Sequence, residues 1–253
     1  YAFQCCSRLD NIIFLGTLNK IEMSAFQCCY NLAEIAFQED IGSIGLNAFQ
    51  NCSRLYNVTF TGSISSIGQT AFEYCSNLTV VTFEKDVGPI DSSAFYNCSK
   101  LQNVTFHGNL TSIGNYAFCK CIMLANITFE GNVSSIGLSA FQYCESLKTI
   151  SFQGNFTSIA DHAFEFCSSL ENIDIPDSVT SIGSYAFQYC YSLDHFYLPS
   201  SVDSIGYNAL YSCTGLRKIE VHANNANYFS DDGVLFSNTS QSSPTLIKFP
   251  ASY

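Results

Sequence analysis

The dipeptide Ala-Phe starts at Ala2, Ala25, Ala48, Ala71, Ala94, Ala117, Ala140, Ala163 and Ala186, each 23 residues after the last, and Ala209 continues the series before Leu210. A fixed period of this length marks a repeat architecture in which each unit touches only its neighbours. It overrides the reading that 253 residues would otherwise invite, one or two ordinary globular domains. With columns 1 to 23 counted from Tyr1, Cys fills column 6 in every unit, Cys6 through Cys213. Leu fills column 9, Leu9 through Leu216, and Ile fills column 21, Ile21 through Ile205. Column 14 is Phe in the first seven units, then Ile175, Leu198 and Val221.

One such unit cannot bury its own apolar face, but stacked units form a continuous core in which each column becomes a ladder. Columns 12 to 14, as in Val58-Thr59-Phe60, alternate apolar and polar residues and predict a short strand with one face buried. Ten such strands pairing in parallel at ~4.8 Å would make a curved sheet roughly 50 Å long. Gly16, Gly62, Gly108, Gly131 and Gly154 mark a turn after the strand, and Pro176 and Pro199 stop it one position earlier. A second extended stretch is expected over columns 18 to 21. About one helical turn is expected on the outer side before the cysteine, too short to be stable alone.

Composition narrows the function. Charged residues are 12 % of the chain, and Lys+Arg 10 against Asp+Glu 21 gives a net charge of −11. Phosphate-backbone binding needs clustered cations, so no nucleic-acid partner is expected. No run of ~18 apolar residues exists, so no membrane span is expected in this segment.

The unit reads C-x-x-L-x-x-I-x-F-x-G-x-V-x-S-I-G-x-x-A-F-x-x-C, as in Cys52 to Cys75 and Cys121 to Cys144. It resembles the BspA-like leucine-rich repeat family over residues 1 to 221. The tail resembles an insert of that family, Asn227-Tyr228-Phe229-Ser230-Asp231-Asp232-Gly233-Val234-Leu235-Phe236 followed by Thr245-Leu246-Ile247-Lys248-Phe249-Pro250. The resemblance implies a right-handed leucine-rich-repeat solenoid, an α/β repeat with a parallel β-sheet on the concave face and short helical turns on the convex side. It also implies a surface or secreted protein acting in adhesion and protein binding, and it names no catalytic residue.

Two regions are expected. Residues 1–221 form a solenoid of about ten 23-residue units. Residues 222–253 form an irregular unit with a β-hairpin-like insert, its polar loop running from Ser237 to Pro244, that continues into a truncated next repeat. The first unit opens on core residues Ala2 and Phe3 without a cap. Either the chain is a segment of a longer array, the preferred reading, or its ends stack on other copies into a fibre.

The candidate chemistry is thin. Ten cysteines one per unit do not converge as zinc ligands must and read as small buried hydrophobes. Cys5 and Cys28 share column 5 and could bridge adjacent units. The four histidines share no local motif, and no nucleophile–base pattern occurs. No enzymatic activity, metal or cofactor is expected. Column 13 carries Thr59, Thr82, Thr105 and Thr128, and further on Asp174, Tyr197 and Glu220. With His195 from column 11 these form a candidate ligand face, since solenoids bind characteristically on the concave side; the Asp174–Glu220 end is the preferred protein-contact patch. Candidate N-glycosylation sites are Asn109, Asn132 and Asn155, which share one turn column, with Asn57, Asn103, Asn126, Asn77 and Asn238. The expectation is a non-enzymatic extracellular or cell-surface solenoid that binds host or self surface proteins or glycans. The alternative is a glycosylated structural protein that self-assembles end to end, a homo-oligomer.

Overall fold

The structure, a computed structural model, describes residues 2–153, 155–238 and 245–248. The alternation in columns 11 to 14 produces strands Asn11–Phe14, Glu34–Phe37, Asn57–Phe60, Val80–Phe83, Asn103–Phe106, Asn126–Asn132, Thr149–Gln153 and Asn172–Ile173. These eight strands form one parallel sheet in chain order. The pairings are displaced by one repeat, as in Val58 opposite Val81 and Val104 opposite Ile127, except where a shift after Thr128 sets Asn132 opposite Gln153. The second extended stretch forms a parallel sheet of its own from Leu18–Ile21 to Leu110–Ile113. Bridges at Ile113–Ile136 and Ile136–Ile159 carry it on to Ser158–Ile159, Ser181–Ile182 and Ser204–Ile205. The chain is thus a parallel-sheet solenoid of the leucine-rich-repeat type.

The first sheet breaks after Asn172–Ile173, and His195–Leu198 pairs only with Lys218–Val221. The cause is local. In earlier units the column-15 N–H donates to the column-14 carbonyl of the unit before, as from Thr61 to Phe37 at 3.0 Å and from His107 to Phe83 at 2.9 Å. Pro176 and Pro199 occupy that column and have no N–H to give. The bond returns at His222, which donates to Leu198 at 2.9 Å.

The expected helical turns are absent: among the described residues there is no helix. The arc between the second sheet and the cysteine is a run of tight turns. Two residues per unit, in columns 1 and 5, hold left-handed backbone, for example Ser93 at φ 58° and Asn97 at φ 57°. None of them is glycine, and each non-glycine residue there costs about 1–2 kcal/mol. Their N–H groups explain the geometry, because each reaches the next unit instead of the preceding turn. Ser93 donates to Asn115 and Asn97 to Cys119, both at 2.9 Å, while Phe95 between them donates to Ala117 at 2.8 Å. The arc is therefore a third ladder of backbone bonds along the solenoid, and an α-helix would leave those bonds unmade.

The core is two stacks of phenylalanine. Column 3 runs from Phe3 to Phe187 with neighbouring rings 5.1–5.5 Å apart and near parallel. Column 14 runs from Phe14 to Phe152 with stacked rings 4.6–5.4 Å apart, and the two stacks meet edge to face, as at Phe60–Phe72, 6.4 Å and 83°. Offset stacks and edge contacts each add about 0.5–1.5 kcal/mol beyond area burial.

Beyond the last regular unit the chain forms a three-stranded antiparallel sheet of Tyr228–Asp231, Val234–Ser237 and Thr245–Lys248. Asp232 at φ 49° and Gly233 at φ 80° make the first turn, the left-handed pair that a two-residue hairpin demands. Most of the polar loop, residues 239–244, and Phe249 lie outside the described residues. Buried Asn225 fastens this sheet to the solenoid. Its Nδ2 donates to Pro199 and Val202 carbonyls at 2.8 and 3.1 Å, and its Oδ1 accepts from the Tyr228 N–H at 2.8 Å.

Candidate functional site

The residues left outside the core are set by the same register. Thr59, Thr82, Thr105 and Thr128 stand opposite one another on successive strands, with Ser151 next. They face outward because column 13 lies between the two buried columns of each strand. Asn57, Asn103 and Asn126 stand two residues before three of them, and Asn126 Nδ2 donates to Asn103 Oδ1 at 3.0 Å.

This ladder gives way to charge at the far end. Tyr197 lies opposite Glu220, and His195 opposite Lys218. His195 Nε2 is 2.9 Å from Glu220 Oε2, and Lys218 bonds the other oxygen of the same carboxylate. Lys218, then His195, holds the Glu220 carboxyl below its ordinary range. The Arg217 guanidinium bonds both oxygens of Asp194 and lowers that carboxyl likewise. Together with Ser230, Asp232 and Gly233 from the antiparallel sheet, these groups line a depression of about 720 Å³. Tyr197 remains 40 % exposed on the same strand as His195. The structure thus brings His195, Tyr197 and Glu220 together. Asp174 is exposed but follows a strand that ends at Ile173, and it does not line the depression. The contributions of Asp194, Arg217 and Lys218 escaped the sequence reading. Asp194 and Arg217 are 23 residues apart and share column 10, so their pairing was available as a column match.

Three of the four histidines have carboxylate partners, and His222 Nδ1 accepts the Asn224 N–H at 3.1 Å. His107 Nδ1 is 2.8 Å from Glu130, with Glu84 on its other side at 3.9 Å, all in column 15 of three successive units. His162 Nδ1 is 2.7 Å from Glu165, which is buried and also accepts from Gln142. Among the described residues no serine, threonine or cysteine side chain is hydrogen-bonded to a histidine, and no group of three ligating side chains is placed to hold a metal.

The column-6 cysteines do more than fill space. Each thiol from Cys29 to Cys213 donates to the carbonyl of the column-3 residue one unit back, at 3.1–3.3 Å. Burial pushes Cys213 up to about 12 and Cys75, Cys98, Cys144 and Cys190 well above the thiol range. Cys5 and Cys28 lie outside the core as thiols, Cys5 exposed. Partial desolvation, and then Cys28, raises Cys5.

The sequons differ in how free their amides are. Asn109, Asn132 and Asn155 are all exposed. Asn109 Nδ2 is 3.2 Å from Asp86 Oδ1, and its own Oδ1 accepts the Asn132 N–H at 3.0 Å. Asn77 is half-buried, its Nδ2 donating to Ser53 at 2.6 Å, and the Asn238 Nδ2 reaches Ala226 at 3.3 Å. Asn57 and Asn103 are half-buried at the strand starts.

Comparison with known proteins agrees with the repeat. The sequence profile described as BspA type Leucine rich repeat region matches in six copies over residues 1–125 and 111–242. A leucine rich cell surface protein from Faecalibacterium prausnitzii is similar in structure, with a TM-score of 0.58 and 25 % identity over 94 % of this chain and 56 % of that one. This chain therefore spans little more than half of that relative's length. A leucine-rich repeat protein from Bacteroides ovatus gives a TM-score of 0.49 and 24 % identity over 88 % of this chain and 75 % of its own. No curated protein matches the chain.

Proposed function

The chain belongs to the BspA-type leucine-rich repeat family, and from that premise we propose that it is a non-enzymatic binding solenoid of the cell surface or the extracellular space. It acts in adhesion, and its partners are surface proteins or glycans of a host or of its own cell. The observation that carries this is the patch that follows the threonine ladder, Tyr197 beside the His195–Glu220–Lys218 cluster and the 720 Å³ depression. Tyr and Arg are the residues that most often anchor protein interfaces, and Tyr197 and Arg217 stand at this end of the sheet. The similar structure described as a cell surface protein supports the placement, as do the exposed sequons.

The test is capture of native surface material by the whole chain. Capture of a protein that Tyr197→Ala abolishes supports the reading. Capture that is indifferent to Tyr197→Ala and to Arg217→Glu sinks the patch, and no capture beyond a bead control sinks the function. Light scattering over a concentration series separates it from end-to-end self-assembly: the mass should hold at 27.9 kDa.

A further inference from the structure

The polar columns of this solenoid differ in where their hydrogen bonds go. Column-4 amides are used on one another, from Gln4 to Gln27 to Gln50 and on to Glu73. Column-6 thiols are used on phenylalanine carbonyls. Column-17 side chains cap the next unit's backbone, as Asp40 does for the Ser63 N–H at 2.8 Å and Asp86 for the Asn109 N–H at 2.8 Å. The hydroxyls of Thr59, Thr82, Thr105 and Thr128 have no such partner among the described residues, although they stand in strict register. Beside them the Asn126–Asn103 bond leaves Asn103 Nδ2 and Asn126 Oδ1 open.

Columns 11 and 13 of this face are also uncharged over these units, while column 15 on the same face carries Glu84, His107 and Glu130. Over five units column 13 holds only Thr or Ser, and column 11 runs Asn57, Val80, Asn103, Asn126, Thr149, between Glu34 on one side and Asn172 on the other. Flanked by the Glu84 and Glu130 carboxylates, to which His107 is already paired, the face disfavours phosphate, sulfate and acidic chains. Apart from Val80 it has no large apolar side chain to anchor a protein interface, whose centre is normally aromatic or aliphatic. It presents a row of hydroxyls and a row of amides, donors and acceptors together, repeated every ~4.8 Å for about 19 Å.

We propose that the Asn–Thr face from Asn57 to Ser151 binds an extended neutral polysaccharide laid across the strands, successive sugars meeting the same hydroxyl and amide groups on successive units. Each contact is weak, and affinity comes from repeating it along one tethered chain. The inference rests on the binding reading above and adds a ligand class at a place distinct from the Tyr197 patch.

Affinity electrophoresis of the whole chain tests it, with hydroxyethyl cellulose and galactomannan as neutral polymers and polygalacturonate as the acidic one. At least one neutral polymer should retard the protein and polygalacturonate should not. The Thr105→Lys/Thr128→Lys variant should weaken retardation about tenfold or more, and Tyr197→Ala should leave it unchanged. The milder Thr105→Val/Thr128→Val variant, which keeps the strand shape, should weaken it too. The proposal is overturned if neither neutral polymer retards the chain, if polygalacturonate does so equally, or if retardation survives both double variants. Loss of captured surface protein rather than of polysaccharide in those variants would also overturn it, by making this a protein face. Surface capture that depends on Tyr197 while neither neutral polymer binds would leave the broader function standing without this inference.

Discussion

The thiol of Cys52 lies 3.2 Å from the carbonyl oxygen of Phe26, a residue one unit back, and the same oxygen accepts the Cys29 N–H at 3.2 Å. Each column-3 carbonyl of the solenoid interior is thus satisfied twice, once within its own unit and once by the next. That gives the invariant cysteine a hydrogen-bonding task as well as a packing one. Cys98→Ala should therefore cost about 1–3 kcal/mol from a lost donor and a small cavity, measured by urea unfolding. Cys98→Val, which removes the donor and adds bulk, should cost at least as much. A stabilised Cys98→Ala would remove the donor role.

The stacking of units makes a glycine indispensable in one place and dispensable in another. A Cβ on Gly62 would sit 2.3–2.4 Å from the backbone of Glu39 and Asp40, whereas one on Gly16 meets nothing within 4 Å. Gly62→Ala should destabilise by about 1–3 kcal/mol and Gly16→Ala should be near neutral, read as midpoint shifts in the same denaturant. Equal effects would contradict the inter-unit contact.

Two ion pairs should tilt the pH dependence in opposite directions. The Asp194 carboxyl is lowered by Arg217 in the folded chain, so its contribution is present above the unfolded carboxylate pKa of about 3.9 and is lost as pH falls through the lower folded value. His107 is raised, by Glu130 first, so its contribution is complete below the unfolded value of about 6.5 and is lost as pH rises through the higher folded value. Thermal melts across pH should show Asp194→Asn differing from the parent at neutral pH and converging with it in acid. His107→Gln should differ below pH ~6.5 and converge at alkaline pH. Both groups are solvent-exposed, so the effects are small and shrink with salt.

Cys5 and Cys28 are the outward-facing column-5 thiols of adjacent units. Oxidation by glutathione disulfide should join them, each thiol losing a proton and the pair giving two electrons to the oxidant, which leaves as two glutathione thiols. Thiol counting under denaturing conditions should fall from 13 to 11, with the Cys5–Cys28 link found by peptide mass spectrometry. Two persistent mixed disulfides with glutathione instead would rule the bridge out.

If the chain passes through a secretory pathway that glycosylates asparagine, the sequons should fill unequally. Asn132 and Asn155 are exposed, with no side-chain hydrogen bond among the described residues, whereas the Asn77 side chain is half-buried and hydrogen-bonded at both ends. Glycopeptide mapping should find the first two occupied and Asn77 empty; the reverse order would contradict the accessibility argument.

The period, the two extended stretches and the buried columns were all legible in the sequence, because a ladder core demands the same residue type at the same place in every unit. Columns 3, 6, 9, 14 and 21 could be named as core from the 23-residue period, and the outward-facing threonines of column 13 from their place between two apolar neighbours. The helical turns were misjudged for a physical reason: columns 1 and 5 hold a mixture of Ser, Thr, Asn, Cys, Lys, His and aromatic residues that permit helix, and nothing local announces left-handed backbone where glycine is absent. The third antiparallel strand was missed although Asp232-Gly233 is a hairpin signal, since Tyr228–Asp231 shows no strong alternation.

What the sequence determined by itself is therefore the stacking: 23 residues per unit, one ladder per column, and the residues that face inward. What only the tertiary structure decided is where the backbone and side-chain hydrogen bonds go. The arc residues turn left-handed because their N–H groups bond the next unit, the cysteines donate to a carbonyl one unit back, and Asp194, Arg217, His195 and Glu220 meet because adjacent strands are in register. Each of these is a contact between units, and a contact between units exists only once the solenoid has closed on its own neighbours.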